Sequence, residues 1–272
     1  MDLRDIAATY FQILSDIDEL DHVGQTVQLT TQIIPSYASE QGVTWQSDDP
    51  ETLSVSSDGL VTVKKAFDKT IHIYAKSSSG LSDSISFWYH RKYNNIITSN
   101  ITKTYSTKTQ IFKLGAKSHD GAPMTYSSNN KYIAINSSGT VTVKSKYIGS
   151  ATILIKTPQT DNYESDWKKT TITVNPSKTT FSSASNIKGK KIKVKWKKNT
   201  CGTGYQIQYS TSSKFASKNK TVTIKKNKTV TATISKLTKG KTYYVRIRTY
   251  KTVSGKNYYS GWSTVKKVKI KR

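Results

Sequence analysis

The sequence predicts an all-β chain: three tandem β-sandwiches preceded by a short N-terminal α-helix. Apolar and polar residues alternate along most of the chain, and two stretches about eighty residues apart, 43–63 and 124–143, are near-repeats. Thr, Ser, Tyr, Val and Ile are abundant and Pro is scarce, which is typical of antiparallel sheets with one solvated face. Apolar residues spaced by three and four over residues 2–20 predict the helix.

The N-terminal segment, residues 1–22, is predicted to be an amphipathic attachment or oligomerisation helix, with Asp2 as its N-cap and Gly24 beyond its end. Its apolar stripe either packs on the first domain or docks on a virion or cell-surface protein, or on a second copy of the chain. We favour docking, because small sandwiches seldom need an added helix. The residues of the stripe are Leu3, Ile6, Tyr10, Ile13, Ile17 and Leu20.

The two near-repeats share one pattern of apolar–Thr–aromatic, polar turn, alternating strand, Ser-x-Gly and V-T-V strand. The aromatic residues are Trp45 and Tyr126, which we expect in the cores. A period near eighty residues is too long for a solenoid and fits a string of small domains. We therefore predict a first domain at 23–92 and a second at 93–176.

These two units resemble group 2 bacterial Ig-like domains, the type found in intimins, invasins and many Gram-positive surface proteins. The resemblance rests on the shared repeat and, in the second unit, on Gly-x-Ala-x-Ile at 149–153 and Thr-Asp-Asn-Tyr at 160–163. The first unit departs from it, with Asp-Lys-Thr-Ile-His-Ile at 68–73. The resemblance implies an Ig-like sandwich and gives little information about a ligand.

The last unit, residues 177–272, has a different pattern, in which apolar residues alternate strictly with lysine from 191 to 197. It resembles a lysine-rich fibronectin type III domain, as in Gram-positive surface proteins and phage virion proteins. Trp196 matches the core tryptophan of that family, and Leu237 with Tyr243 matches its tyrosine corner. A Gly-Trp-Ser run at 261–263 matches the segment near the last strand. The core residues predicted for all three domains are Trp45, Tyr126, Trp196, Tyr209, Leu237 and Tyr243.

The net charge of +26 is concentrated in this last unit. Residues 176–272 contain 26 Lys and Arg and no Asp or Glu, whereas residues 1–175 contain 17 of each sign. Strand alternation predicts that the lysines lie on an outer face. Because lysine is a hydrated point charge, such a face suits a diffuse polyanion such as teichoic acid or an anionic glycan. The predicted binding residues are Lys191, Lys193, Lys195, Lys197, Lys266, Lys267, Lys269 and Lys271.

Two other interpretations of the lysines remain open. In the first, the lysines only keep a solvated face soluble and protect sheet edges from pairing with other chains. Specific nucleic-acid binding is the least favoured, since neither an RNA-recognition fold nor a reading helix is predicted.

No catalytic or metal site is predicted, and no cofactor. The four histidines are scattered without metal-ligand spacing. Two carboxylate clusters, at 48–51 and 161–166, lack the spacing of a known calcium loop. The one cysteine, Cys201, excludes a disulfide framework and lies in a predicted loop, where a lone thiol is usually incidental.

We therefore predict a non-catalytic adhesion or decoration protein without a membrane span. The N-terminus begins with Met and lacks a signal-peptide pattern, so we expect a phage virion accessory protein on a capsid or tail. It would contact host-surface polyanions through its cationic C-terminal domain. The alternatives are a bacterial cell-surface adhesin, whole or in part, and an accessory module of a secreted glycan-active enzyme.

Overall fold

The computed structural model describes residues 6–39, 41–217 and 219–271, and this part of the chain contains strands, turns and bends but no α-helix. The all-β prediction is confirmed. Its sheets form three β-sandwiches along the chain. No helix long and apolar enough to cross a membrane occurs in the described residues.

The first sandwich pairs a four-stranded sheet, of order β2-β9-β8-β5, with a three-stranded sheet, β3-β7-β6, and has an additional β1-β4 pair. All neighbours pair antiparallel except β2 and β9, which are parallel. Its strands are β1 (Tyr10–Leu14), β2 (Glu19–Leu20), β3 (Thr26–Gln28), β4 (Thr30–Ile34), β5 (Val43–Ser47), β6 (Leu53–Val55), β7 (Leu60–Val63), β8 (Ile71–Ser77) and β9 (Ser82–Tyr89).

The predicted N-terminal helix is wrong, because β1 and β2 lie where it was expected. In β1, Phe11 and Ile13 are buried while the residues between and beside them are exposed, which is the two-residue period of a strand. The backbone N–H of Ile13 also donates to Asp83 Oδ2 at 2.8 Å. Leu20 is fully buried in the first core, so the apolar side chains of this segment do not form one free stripe.

The residues predicted for the attachment face therefore do not lie together on one exposed face. Ile13 and Leu20 are buried, Ile6 is half-buried, and Tyr10 and Ile17 are exposed. Leu3 lies outside the described residues. The prediction of a partner docked through this helix therefore loses its structural basis.

The aromatic residue of each repeat packs on the glycine of the same repeat. Gly59 has a φ of +83°, and a Cβ there would lie 3.1 Å from Trp45 Cε2 and 2.8 Å from the carbonyl oxygen of Leu29. Gly139 has a φ of +69°, and a Cβ there would lie 3.2 Å from Tyr126 Oη. Trp45 and Tyr126 are both half-buried. Only glycine allows this turn and this close ring contact together.

The second sandwich pairs a four-stranded sheet, β10-β16-β15-β12, with a three-stranded sheet, β11-β14-β13. The β13-β14 pair has the same register as β6-β7 of the first sandwich, so the repeat in sequence is a repeat in local structure. Its strands are β10 (Ile101–Thr104), β11 (Gln110–Lys113), β12 (Thr125–Ser128), β13 (Ile133–Ile135), β14 (Thr140–Val143), β15 (Gly149–Thr157) and β16 (Asp166–Asn175).

The third sandwich pairs a three-stranded sheet, β17-β18-β21, with a five-stranded sheet of order β20-β19-β22-β23, in which β24 also pairs with the long strand β22. Its strands are β17 (Phe181–Ile187), β18 (Lys191–Trp196), β19 (Gly204–Ser210), β20 (Lys220–Ile224), β21 (Thr231–Ile234), β22 (Thr242–Val253), β23 (Lys256–Tyr259) and β24 (Lys266–Lys269).

The core of the third sandwich is built around an aromatic pair. The rings of Trp196 and Tyr205 meet edge to face with centroids 5.3 Å apart, and Tyr205 is fully buried. Leu237 is buried beside them, while Tyr209 and Tyr243 are half-buried with their centroids 6.3 Å apart. The Tyr243 hydroxyl accepts a hydrogen bond from the backbone N–H of residue 238 at 3.2 Å.

The chain divides into two compact units. The first comprises Met1–Ile96, Ser118–Pro123 and Thr157–Asp166, so two segments that follow the first sandwich in sequence belong to it. The second comprises Ile97–Lys117, Met124–Lys156 and Trp167–Arg272. The domain boundaries expected from the sequence stay predictions.

Candidate functional site

The lysine row on β18 lies on the outer face of the three-stranded sheet. Ile192, Val194 and Trp196 point into the core, and the lysines between them are directed outward. Lys193 and Lys195 are exposed and Lys191 is half-buried. Alternate residues of a strand are about 6.7 Å apart, so these three side chains form a regular row of positive charge.

Hydroxyl-bearing residues flank this row on both sides. Opposite Lys193, the register places Ser185 on β17 and Thr233 on β21. Opposite Lys195 it places Ser183 and Thr231. A flat cationic row bordered by hydroxyl groups is suited to an extended chain of anionic groups, since lysine offers a mobile point charge rather than a fixed fork.

The predicted lysines at 266–271 do not share that face, whereas the exposed Lys197 follows directly after β18 and continues its alternation. Strand β24 belongs to the five-stranded sheet, where it pairs with β22. It lies close to β17, and the backbone N–H of residue 271 donates to Asn186 Oδ1 at 3.0 Å. The structure therefore places the two lysine sets on different sheets. Exposed on or directly after β24 are Lys266, Lys267, Lys269 and Lys271.

The third sandwich has no acidic side chains of its own to neutralise its positive charge. Residues 176–272 contain no carboxylate side chain, and every ion pair found among the described residues involves only the first 92 residues. Clustered like charges raise the local potential and attract mobile anions. The third sandwich is therefore the part of the chain with the strongest attraction for a polyanion.

A second cationic arrangement occupies the outer face of the five-stranded sheet. Arg246 and Arg248 flank the buried Ile247 on β22, opposite Gln208 and Gln206 of β19. The Nε and Nη2 groups of Arg246 donate to Gln208 Oε1 at 2.8 and 2.5 Å. Those of Arg248 donate to Gln206 Oε1 at 2.9 and 2.7 Å. Each guanidinium is thus tied to the neighbouring strand β19 by two hydrogen bonds to one oxygen.

Aromatic rings stack on both guanidiniums. Trp262 lies between them, its ring centroid 4.6 Å from Arg246 Cζ and 4.4 Å from Arg248 Cζ. The centroid of Phe215 lies 4.0 Å from Arg246 Cζ, and that of Tyr259 lies 3.9 Å from Arg248 Cζ. Such contacts stabilise a cation that has lost part of its hydration. We call these five residues the arginine ladder.

Two serines position Trp262 in the ladder. The hydroxyl of Ser260 accepts from the backbone N–H of Thr249 at 2.9 Å, and that of Ser263 accepts from the N–H of Ile247 at 3.1 Å. These two hydrogen bonds hold the segment between β23 and β24 against β22, which places the indole of Trp262 beside the guanidiniums. Burial lowers the pKa of Arg248 and of Arg246, but a guanidinium stays charged at neutral pH.

The arginine ladder was not predicted from the sequence. A signal was present, since Arg-x-Arg and Gln-x-Gln each occur in a predicted strand with an apolar residue between them. Which arginine faces which glutamine depends on the cross-strand register, and this cannot be inferred from one strand alone.

The other candidate groups serve local structure. Asp48 Oδ2 lies 3.0 Å from His72 Nδ1, Asp49 pairs with Lys69 at 2.9 Å, and Asp166 Oδ2 accepts from the N–H of residue 96 at 3.0 Å. No group of three or more His, Cys, Asp or Glu suited to a metal ion occurs in residues 6–39, 41–217 and 219–271.

Two stretches of the chain match models of known domain families. Residues 22–84 match the bacterial Ig-like domain (group 2). Residues 160–266 match the fibronectin type III domain. The chain therefore contains one domain of each type, and both types are typically non-catalytic structural domains. That the second sandwich is also a group 2 Ig-like domain stays a prediction.

Similar proteins and structures were also found. An uncharacterized protein of Clostridium acetobutylicum is 35% identical over 92 residues, which are 34% of this chain and 9% of that protein. Domains 4 and 5 of the S-layer protein SbsC are 18% identical with a TM-score of 0.32, over 62% of this chain and 99% of theirs. Titin domains A168–A170 are 12% identical with a TM-score of 0.35, over 98% of this chain and 100% of theirs.

Proposed function

We propose that this chain is a non-catalytic, surface-displayed adhesion protein whose third sandwich binds an anionic polymer. The polymer class is a teichoic acid or a carboxylate-bearing glycan of a bacterial or mucosal surface. The observation that carries the proposal is the outward lysine row of β18, flanked by hydroxyl groups, on a sandwich without a carboxylate.

The geometry of the row favours a repeating polymer over a compact anion. Its lysines stand about 6.7 Å apart along a strand, a spacing over which successive charged groups of a linear polymer can each meet one ammonium. The ammonium groups are hydrated and mobile, so no single contact is strong. Affinity then comes from several weak contacts acting together.

Binding by the full chain to wall teichoic acid fragments and to heparin tests this proposal, with neutral dextran as the comparison polymer. In one variant Lys191, Lys193 and Lys195 are changed to Gln. A matched variant removes the same charge from exposed loop positions of the same sandwich, with Lys228, Lys239 and Lys241 changed to Gln. Loss of binding in the first variant only is the expected result.

If both variants bind as the natural chain does, the lysines serve solubility and the proposal is wrong. If both lose binding equally, only net charge matters and the row has no special role. Because glutamine removes mutual repulsion between the lysines, we expect the first variant to stay folded.

The proposed binding is the same on a phage virion or on a bacterial cell surface. Both settings would expose the third sandwich to wall or glycan polymers, and the two domain types found here are compatible with surface display. Capsid or tail genes beside the reading frame would favour the virion, whereas a cell-wall anchoring signal in the complete gene would favour the cell surface.

A further inference from the structure

A groove of about 400 Å³ lies at one end of the five-stranded sheet, on its outer face. It is bounded by β20 on one side and by the β22–β23 hairpin on the other, with β19 between them. None of the predicted polyanion-binding lysines lines it. The residues that matter for its chemistry are Gln206, Thr223, Lys225, Tyr250, Asn257 and Tyr259.

The base of the groove depends on a glycine, Gly204, because any side chain there would collide with its neighbours. Gly204 faces Tyr250 across the β19–β22 pair. A Cβ at Gly204 would lie 2.9 Å from both Cε1 and Oη of Tyr250, and 2.0 Å from the carbonyl oxygen of Ile224. The ring of Tyr250 therefore lies directly over the backbone of β19 at the base of the groove, where all but its edge is buried.

One wall of the groove is a ring held in place by the arginine ladder. Tyr259 stacks on Arg248, which is itself fixed by its two hydrogen bonds to Gln206. The Tyr250 and Tyr259 centroids are 6.1 Å apart at 44°, so the two rings make an angled aromatic corner. Because Tyr259 is only half-buried, part of its surface remains accessible. A ring fixed before binding loses little entropy when a ligand packs on it.

The polar side chains around this corner are amides, hydroxyls and a lysine, and none of those that line the groove is acidic. Oε1 of Gln206 accepts from Arg248, so the amide group of Gln206 has N–H donors to offer a ligand. Thr223 lies opposite Gln206, and Asn257 lies on β23 beside Tyr259. The exposed Lys225 supplies a full positive charge, and Arg248, which contacts Gln206 and Tyr259 behind the groove, adds a second.

We infer that this groove binds one unit of an anionic saccharide. A sugar ring has an apolar face that packs on an aromatic ring and hydroxyl groups that need amide and hydroxyl partners. A carboxylate or phosphate on that ring pairs with Lys225 through a charge-assisted hydrogen bond. The site uses residues that the lysine row does not use, so it goes beyond the proposed function and does not depend on it.

Titration of the 15N-labelled full chain with cellobiouronic acid, glucose 6-phosphate and neutral cellobiose tests the inference by NMR. We expect an anionic probe to shift the amide signals of Gln206, Thr223 and Asn257 saturably. Cellobiose should bind at least about tenfold more weakly, since it lacks the charge-assisted bond. Glucuronic acid, which has one ring as glucose 6-phosphate does, then shows whether the groove prefers a carboxylate or a phosphate.

Two groove variants and two controls complete the test. Lys225→Gln changes an exposed side chain and should reduce the affinity for the anionic sugar most of the way to that for cellobiose, since only the charge of Arg248 then remains. Tyr259→Leu should weaken both sugars, whereas Tyr259→Phe keeps the ring and should retain binding. The triple Gln variant of the lysine row should bind the sugar unchanged, even if it no longer binds teichoic acid.

Three outcomes would overturn the inference. One is the absence of saturable shifts in the groove with either anionic probe. The second is equal affinity for charged and neutral sugars. The third is full affinity in the Lys225→Gln variant, which does not depend on how well Tyr259→Leu folds.

Discussion

The guanidinium carbon of Arg248 lies 3.9 Å from the ring centroid of Tyr259, while the same guanidinium donates two hydrogen bonds to Gln206. This one side chain connects β19, β22 and β23 on the outer face of the third sandwich. It also forms the border between the arginine ladder and the groove. Arg248 therefore packs on a ring, carries a positive charge and holds two residues of the proposed sugar site, Gln206 and Tyr259.

The ladder predicts that Arg248→Lys destabilises the third sandwich although the charge is kept. Lysine cannot donate two hydrogen bonds in a fixed plane or stack flat between two rings. We expect a loss of about 1–2 kcal/mol in the free energy of unfolding. Urea titration followed by the methyl NMR signals of Ile247 measures it, with Lys226→Ala at an exposed position as the control. Equal stability of the two variants would contradict the role given to the ladder.

The contact between Trp45 and Gly59 predicts an unequal effect of two Gly→Ala substitutions. Gly59 and Gly80 both have positive φ, at +83° and +92°, but a Cβ would meet other atoms only at Gly59. Gly80→Ala should cost about 1 kcal/mol from backbone strain alone. Gly59→Ala should cost about 1–3 kcal/mol more, because the carbonyl oxygen of Leu29 cannot move away easily.

Urea unfolding followed by the methyl signals of Leu53 and Val61 compares the two glycine variants. Both residues lie on the strands that flank the Gly59 turn. Similar losses at the two positions would mean that the close approach of Trp45 and Leu29 is not tight in solution.

Strict alternation explains why β18 was predictable. Lysine and apolar residues alternate without interruption from 191 to 196. Only a strand places two alternating classes of residue on opposite faces of the backbone. Alternation shows which side of its own strand a lysine faces but not which sheet the strand joins. This is why the lysines of β24 were expected beside those of β18 and instead lie on the other sheet.

The N-terminal segment was misread because its apolar residues satisfy two periods. Tyr10 and Ile13 fit a spacing of three, while Phe11 and Ile13 fit a spacing of two. The deciding partner is β4, which pairs with β1 from about twenty residues further along the chain. A tertiary contact of this kind decides between the two periods, and the segment itself does not show which partner strand it will meet. The groove was missed for a similar reason, since its residues meet only through cross-strand register.

The environment of Cys201 predicts a thiol that reacts slowly with alkylating reagents. It is buried, its Sγ lies 2.9 Å from Asn199 Oδ1, and it packs with Ile148 and Tyr258. An alkylating reagent can therefore reach the sulfur only after the residues around Cys201 open locally. Mass spectrometry after timed iodoacetamide treatment should find little modification of the native chain and complete modification in urea. Rapid, complete modification without urea would show that this cluster is open in solution.

Asp120 predicts a local loss of stability at acid pH. Burial would raise the pKa of its carboxyl, but hydrogen bonds from the N–H of Ala122 and the side chains of Thr160 and Asn94 outweigh it and lower the pKa below the ordinary 3.8. A depressed folded-state pKa means that the ionised group stabilises the fold above pH 3.8. That contribution is lost as the pH falls through the folded-state value.

An NMR pH titration of the Ala122 amide and the Asn94 side-chain amide follows this carboxyl directly. The midpoint should lie below 3.8, and Asp120→Asn should remove the transition. A midpoint at or above 3.8 would mean that these hydrogen bonds do not favour the charged form.

The salt dependence of teichoic acid binding tests the central claim most directly. For a row of lysines that displaces counterions, the logarithm of the association constant should fall linearly with the logarithm of salt concentration. Changing Lys191, Lys193 and Lys195 to Gln should reduce that slope by about 0.7 for each lysine in contact with the polymer. The matched Lys228, Lys239 and Lys241 variant should keep the slope of the natural chain. An unchanged slope in the first variant, or binding insensitive to salt, would contradict the assignment of the β18 row as the polymer-binding surface.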